Sequence, residues 1–227
     1  MIFWLILILG GVYFFAYSSF FNIEDVVVEG TRGVNPDEVK SIVDSYRSSE
    51  DNLFKFPVEK VENDITSKFT QVGKVNVTRG VPKTIKVEIS ERDGFLIWQT
   101  QGKNYIVDKT GVAFKEAIET FSLPVVVDEQ NKAVKLGDKI LTKNFVKFIT
   151  SVNANLEKKT KTKIKKIIVK ESTFELQVIT DKGWKVIFDT ARSADDQIND
   201  MVIVLPYTKN KIHEYLDLRV ENWAYYK

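Results

Sequence analysis

Residues 1–23 carry no charged side chain, and from Glu24 onward apolar and polar positions alternate in short periodic blocks. A bilayer core of roughly 30 Å takes about 20 apolar helical residues. Each Leu, Ile, Phe or Val favours insertion by roughly 0.3–0.6 kcal/mol. The pattern therefore predicts one transmembrane anchor over residues 1–21, with Trp4, Tyr13 and Tyr17 as interfacial aromatics. A cleaved signal peptide, with Ala16-Tyr17-Ser18 as its small-residue site, is the alternative; no Lys or Arg precedes the run to support it.

The next block reads as a strand over residues 22–30. Phe21 and Ile23 fall out of phase with Val26 and Val28, which predicts a bulge at Glu24-Asp25. Asn35-Pro36-Asp37-Glu38 has the form of a helix start: a capping side chain, a proline in the first turn, then two acids at the positive end of the dipole. Val39, Ile42, Val43 and Tyr46 follow at helical spacing, and the helix is expected to end in the polar run 47–51. Pro57 opens a second helix with Val58, Val61, Ile65 and Phe69 inward. Residues 72–79 and 84–91 alternate as two strands joined by Gly80-Val81-Pro82-Lys83. The sum is a β-α-α-β-β domain over residues 22–92.

Beyond Asp93 the pattern predicts mostly strands, at 95–100, 103–107, 112–114, 123–127, 164–170, 174–180, 184–188 and 220–226. Two helices interrupt them. One runs over 142–156, and one begins at Ser193 with Ile198, Met201, Val202 and Leu205 inward. The expected fold class is α+β: a single transmembrane helix, the β-α-α-β-β domain, and a mostly antiparallel β domain with flanking helices over 93–227.

Composition narrows the chemistry. Lys+Arg number 33 against 31 Asp+Glu, a net charge of +2 that argues against nucleic-acid binding by bulk charge. There is no cysteine, so neither disulfides nor thiolate metal sites exist. The one histidine, His213, supports neither a His-based zinc site nor a well-founded Ser-His-Asp triad. No nucleophile elbow, P-loop or zinc-protease motif is present. Asp195-Asp196 read as first-turn helix residues, and Glu91-Arg92 as a structural or surface pair. No catalytic residue, cofactor or metal is expected. The run KKTKTKIKK over 158–166 leaves two readings: a solvated helix end, or a contact for anionic lipid or acidic wall polymer. The aromatic segment Asn222-Trp223-Ala224-Tyr225-Tyr226 is either core or an open sheet edge, and an open edge is a template for another chain.

Several stretches, taken together, resemble the FtsQ/DivIB cell-division family. Phe21, Ile23, Val26, Val28 and Gly30, then Asn52-Leu53-Phe54, then Val75, Val77, Arg79, Pro82, Thr84, Ile85, Val87, Ile89 and Glu91-Arg92 are similar to its POTRA domain. Asp93 departs from the proline that the family carries after the Glu-Arg pair. Val107-Asp108, Gly111-Val112, Phe114, Leu123-Pro124, Leu136-Gly137 and above all Tyr215-Leu216-Asp217-Leu218-Arg219 are similar to its β domain. The resemblance implies a membrane scaffold of the bacterial division machinery, not an enzyme. It would lie at the septum with its bulk outside the cytoplasm, and dock FtsB- and FtsL-type coiled-coil partners. The strand after the Asp-Leu-Arg signature receives FtsB in that family, so the implied partner-binding strip is Arg219, Val220, Glu221, Asn222, Trp223, Ala224, Tyr225 and Tyr226. The POTRA surface would be a second contact region. The alternative is a POTRA-containing chaperone of secretion or outer-membrane assembly, which would need long barrel strands after residue 93.

Overall fold

The apolar N-terminal run folds as helix α1 (Ile2–Tyr17), which stops where Ser18 takes over the backbone. The Ser18 hydroxyl accepts from Phe20 N–H at 3.2 Å and caps a single 3-10 turn, Ser19–Phe21. The chain then leaves helical geometry, and the apolar residues that follow go elsewhere. Phe21 and Ile23 are buried in the adjoining domain, with Leu53 N–H donating to the Phe21 carbonyl and Ile23 N–H to the Asp51 carbonyl, both at 2.9 Å. The expected transmembrane helix over 1–21 is thus corrected. The helix has 16 residues, about 24 Å at ~1.5 Å per residue against a core of roughly 30 Å. Among the described residues no helix is long and apolar enough to cross a membrane.

This computed structural model describes residues 2–47, 51–117, 122–208 and 210–227, so part of the expected polar run 47–51 lies outside the described residues. The chain divides into two units, Met1–Arg92 and Asp93–Lys227.

In the first unit, β1 (Asp25–Glu29), β2 (Val72–Gly80) and β3 (Thr84–Glu91) form a sheet in the order β1-β3-β2. β1 runs parallel and β2 antiparallel to β3. Helices α2 (Pro36–Arg47) and α3 (Val58–Lys68) supply Val39, Val43, Val61 and Ile65 to a core that also holds Leu53, Phe56, Ile85 and Val87. Asn35 caps α2 as its sequence suggests, its side-chain oxygen accepting from Asp37 N–H at 2.9 Å. At Glu24-Asp25, where the apolar phase changes, both N–H groups donate to the one Lys83 carbonyl, at 2.8 and 3.3 Å. Asn52-Leu53-Phe54 is held by Arg79, whose guanidinium donates to the Leu53 and Phe56 carbonyls at 2.8 Å each. Phe54 also stacks edge-on against Phe15 and Phe21, tying the end of α1 to this segment. Gly30 is required: at φ +82° a Cβ would sit 2.2 Å from the Ile89 carbonyl oxygen.

In the second unit nine strands of the described residues form one sheet in the order β12-β11-β10-β9-β8-β7-β4-β5-β6. They are β4 (Leu96–Thr100), β5 (Lys103–Val107), β6 (Ala113–Glu116), β7 (Val125–Asp128), β8 (Ile164–Val169), β9 (Glu175–Thr180), β10 (Lys185–Asp189), β11 (Tyr215–Asp217) and β12 (Tyr225–Tyr226). The pairs β4–β7, β7–β8 and β10–β11 are parallel, so the sheet is mixed. Helix α4 (Lys143–Thr160) is the crossover between parallel β7 and β8, and runs four residues past its expected end. Helix α5 (Ala194–Thr208) joins β10 to parallel β11. Phe145, Phe148, Ile149, Val152 and Leu156 of α4 pack with Ile198, Met201 and Leu205 of α5 on Trp98, Val126, Ile167, Val178 and Val186. Val202, expected inward, is exposed; the buried stripe of α5 turns instead toward Gln197. The Gln197 amide locks onto the end of β10, accepting from Asp189 N–H at 2.9 Å and donating to its carbonyl at 2.8 Å.

Glu91 gives a test of the first unit. One of its carboxylate oxygens accepts from the N–H groups of Arg32, Gly33 and Val34 at 2.6, 2.8 and 3.0 Å. Burial opposes ionisation there, but those bonds and the Arg32 charge outweigh it and hold the carboxyl below its ordinary value. A depressed folded pKa stabilises above the unfolded value and is lost as pH falls through the folded one. Glu91→Gln should therefore cost about 1 kcal/mol at neutral pH, after allowance for solvent screening. The gap to wild type should close as the pH falls below about 4. Thermal unfolding across that range checks both.

Candidate functional site

The signature Tyr215-Leu216-Asp217-Leu218-Arg219 is built by alternation along β11. Leu216 and Leu218 are fully buried in the helix-covered core, and Leu218 N–H donates to the Ile187 carbonyl at 2.9 Å. Arg192 donates to the Leu218 carbonyl at 2.7 Å and pairs with Asp200 at 3.5 Å, pinning the exit of β11 to α5. Asp217 shares its face with Ile187 and Gln177, opposite the helices. Arg219 folds back over it, Nε lying 3.0 and 3.1 Å from the two carboxylate oxygens and Nη2 2.7 Å from one of them. Its remaining nitrogen Nη1 pairs with Glu175 on β9. The hydrogen bonds with Asp217 raise the Arg219 guanidinium further above its ordinary value, against the opposing effect of burial.

Beyond Arg219 the structure differs from the sequence expectation. The last strand is Tyr225–Tyr226, not 220–226. Val220 to Trp223 form a turn, closed by Trp223 N–H donating to the Val220 carbonyl at 3.2 Å and carrying Asn222 at φ +59°. Asn tolerates that left-handed position better than most residues. Val220, Trp223, Tyr225 and Tyr226 are exposed, and Ala224 alone packs against the core. The strip Arg219–Tyr226 is thus a clamp, a turn and a two-residue strand in succession.

β12 ends the sheet. It pairs antiparallel with β11 through Leu216↔Tyr226 and Asp217↔Tyr225, and among the described residues has no strand on its other side. Tyr215 and Lys227 exchange both backbone hydrogen bonds, at 3.2 and 3.4 Å. Antiparallel pairs alternate, so Leu216↔Tyr226 is a non-bonded pair, and the Tyr226 N–H and carbonyl point away from β11. The edge strand β2 of the first unit is handled differently: its outward Val77 N–H is taken by Glu62 at 2.7 Å. Sequence reasoning missed Glu175, Gln197 and Arg192 around this edge. Each lies far from the signature, and no local pattern marks it. Among the described residues no group of three or more His, Cys, Asp or Glu is placed to hold a metal ion.

An open mixed sheet with helices on one face, accompanied by a β-α-α-β-β unit, defines a two-module α+β protein with an unpaired rim. Comparison with known proteins fits both modules. Residues 21–92 match the POTRA domain, FtsQ-type, and residues 96–219 match the C-terminal domain of the cell division protein FtsQ/DivIB. The chain belongs to the FtsQ/DivIB family of cell-division proteins. The cell division protein FtsQ of Rickettsia prowazekii is 26% identical over 102 residues, 45% of this chain and 37% of that protein. That of Rickettsia conorii is 22% identical over 142 residues, covering 52% of each. The Streptomyces coelicolor FtsQ is 33% identical over 112 residues, 48% of this chain and 41% of that protein. The chain therefore spans from about a third to half of the length of the relatives it matches.

The clamp and the anchors should separate in mutants. Arg219→Lys, which loses the bidentate fork at an exposed site, should cost 1 kcal/mol or less, roughly. Leu218→Ala should cost about 2–4 kcal/mol by leaving a cavity. Denaturant unfolding of the two variants measures the difference.

Proposed function

We propose that this chain is a scaffold of the bacterial division machinery that docks a partner by strand addition at β12. What supports the reading is a single feature: the backbone groups of Tyr226 point outward from a strand that, among the described residues, is paired on one side only. An incoming extended segment would satisfy them and continue the sheet. Tyr225 and Trp223 offer aromatic surface of the kind enriched at interface centres. The Arg219 clamp fixes the exit of β11, and with it the register of the rim. By family resemblance the partners are FtsB- and FtsL-type coiled-coil proteins, met at the septum. No reaction is assigned to the chain. Its contribution is to hold weakly interacting partners together and raise their effective concentration.

Two substitutions test the mode of docking. Tyr226→Pro removes the outward N–H and leaves the bonds between Tyr215 and Lys227 in place. Tyr225→Lys puts a charge on the exposed strand. Each should weaken capture of the FtsB-type partner by the full chain about tenfold or more, with the unfolding midpoint unchanged. Undiminished capture by both variants would move the docking site away from β12.

A further inference from the structure

Six lysines gather at one end of the second sheet, where α4 stops, β8 starts and the β9–β10 turn doubles back. Lys158 is in the last turn of α4, Lys161 is its C-cap, Lys163 follows, Lys165 and Lys166 lie in β8, and Lys182 is in the turn. Asp181 N–H donates to the Lys163 carbonyl at 3.0 Å, and Lys163 N–H donates to the Asp181 carboxylate at 3.1 Å, which draws the segments together. All six side chains are exposed. Among the described residues their neighbours are engaged, Lys159 with Asp195 and Lys227 with Glu214, whereas no ion pair reaches the six. The acids beside them are Glu157 and Asp181.

A helix dipole accounts for Lys158 but not for the rest. Lys161 occupies a left-handed position at φ +60°, where glycine is the usual residue. A register shift against β9 between Ile164 and Lys166 breaks the alternation of β8, so that Lys165 and Lys166 both face solvent. Lys166 and Lys185 then flank Ile179 on the helix-free face. The positive charge wraps from one face of the sheet to the other, across two irregularities that each aim a lysine outward.

The form of this end suits a broad partner. Two cavities of this unit, about 340 and 360 Å³, open at the opposite end, beside Asn144 and Ser193 and beside Asp128 and Thr173. Within the segments that carry the six lysines, Ile164 is half-buried and Trp184 buried, so those segments expose no aromatic for stacking bases. Lysines act as point charges without the bidentate fork of arginine. We infer that this end is a peripheral contact for a lipid surface carrying anionic headgroups.

Partition of the full chain between buffer and vesicles tests it, using phosphatidylcholine alone or with about 30% phosphatidylglycerol. The exposed apolar surface of α1 contributes a salt-independent background to both vesicle types, so the readout is the increment due to phosphatidylglycerol. Wild type should gain about a hundredfold on the anionic vesicles, and lose most of it between about 0.05 and 0.3 M salt. The quadruple variant Lys161→Gln, Lys163→Gln, Lys165→Gln, Lys166→Gln should fall to the neutral-vesicle level with its unfolding midpoint unchanged. The milder pair Lys163→Gln, Lys182→Gln, on exposed side chains only, should lose about tenfold even if the quadruple variant fails to fold. A full phosphatidylglycerol increment in a folded variant would overturn the assignment. So would a wild type that ignores phosphatidylglycerol and binds poly-L-glutamate, an outcome that would make the site one for acidic protein segments.

Discussion

A sheet with helices on one face only must still satisfy its outermost strand, and the second unit is arranged around that constraint. The burial of Leu216 and Leu218 beneath α5 fixes β11 parallel to β10. Among the described residues β11 in turn is the only strand beside β12. β11 is anchored by core packing and by Arg192 on the Leu218 carbonyl, which positions the rim although β12 has two residues. Proteins commonly blunt such edges with short strands or charge. At β12 the strand is short and Lys227 follows it, whereas Glu62 closes the outward Val77 N–H of β2.

The first unit follows a different logic, in which local polar bonds secure a small core. Arg79 holds two carbonyls of the segment between the helices, and Glu91 gathers three N–H groups of the loop before α2. Both side chains come from the β2–β3 hairpin, so the hairpin positions everything that packs on it. The end of α1 joins the same system through Phe15, Phe21 and Phe54. The apolar N-terminal run is thus shared between an exposed helix and a folded core.

Much of this was legible from periodicity. The strand over 84–91, the Asn35 cap and the Phe145–Leu156 stripe depend on local spacing, and local spacing is what a sequence displays. The transmembrane expectation failed for a reason that hydropathy does not carry. Phe21 and Ile23 are as apolar as Leu7, but long-range pairing with Asp51 and Leu53 takes them into a core. The parallel pairing of β4 with β7 was also invisible, because alternation marks strands without giving their direction. At the edge, the Tyr215–Arg219 signature was readable. The partners that hold it, Glu175 and Arg192, meet it only after folding, and the turn at Asn222 shortened the strand expected there.

The outward direction of the Tyr226 backbone decides whether β12 is a docking edge. Amide hydrogen exchange at Tyr226, measured in the free chain and with a saturating FtsB-type coiled-coil partner, reads it directly. The free amide should exchange near the rate of an open chain, and the bound one should slow about a hundredfold or more as it donates to the added strand. An amide already protected in the free chain, or equally fast in the complex, would contradict strand addition at this rim.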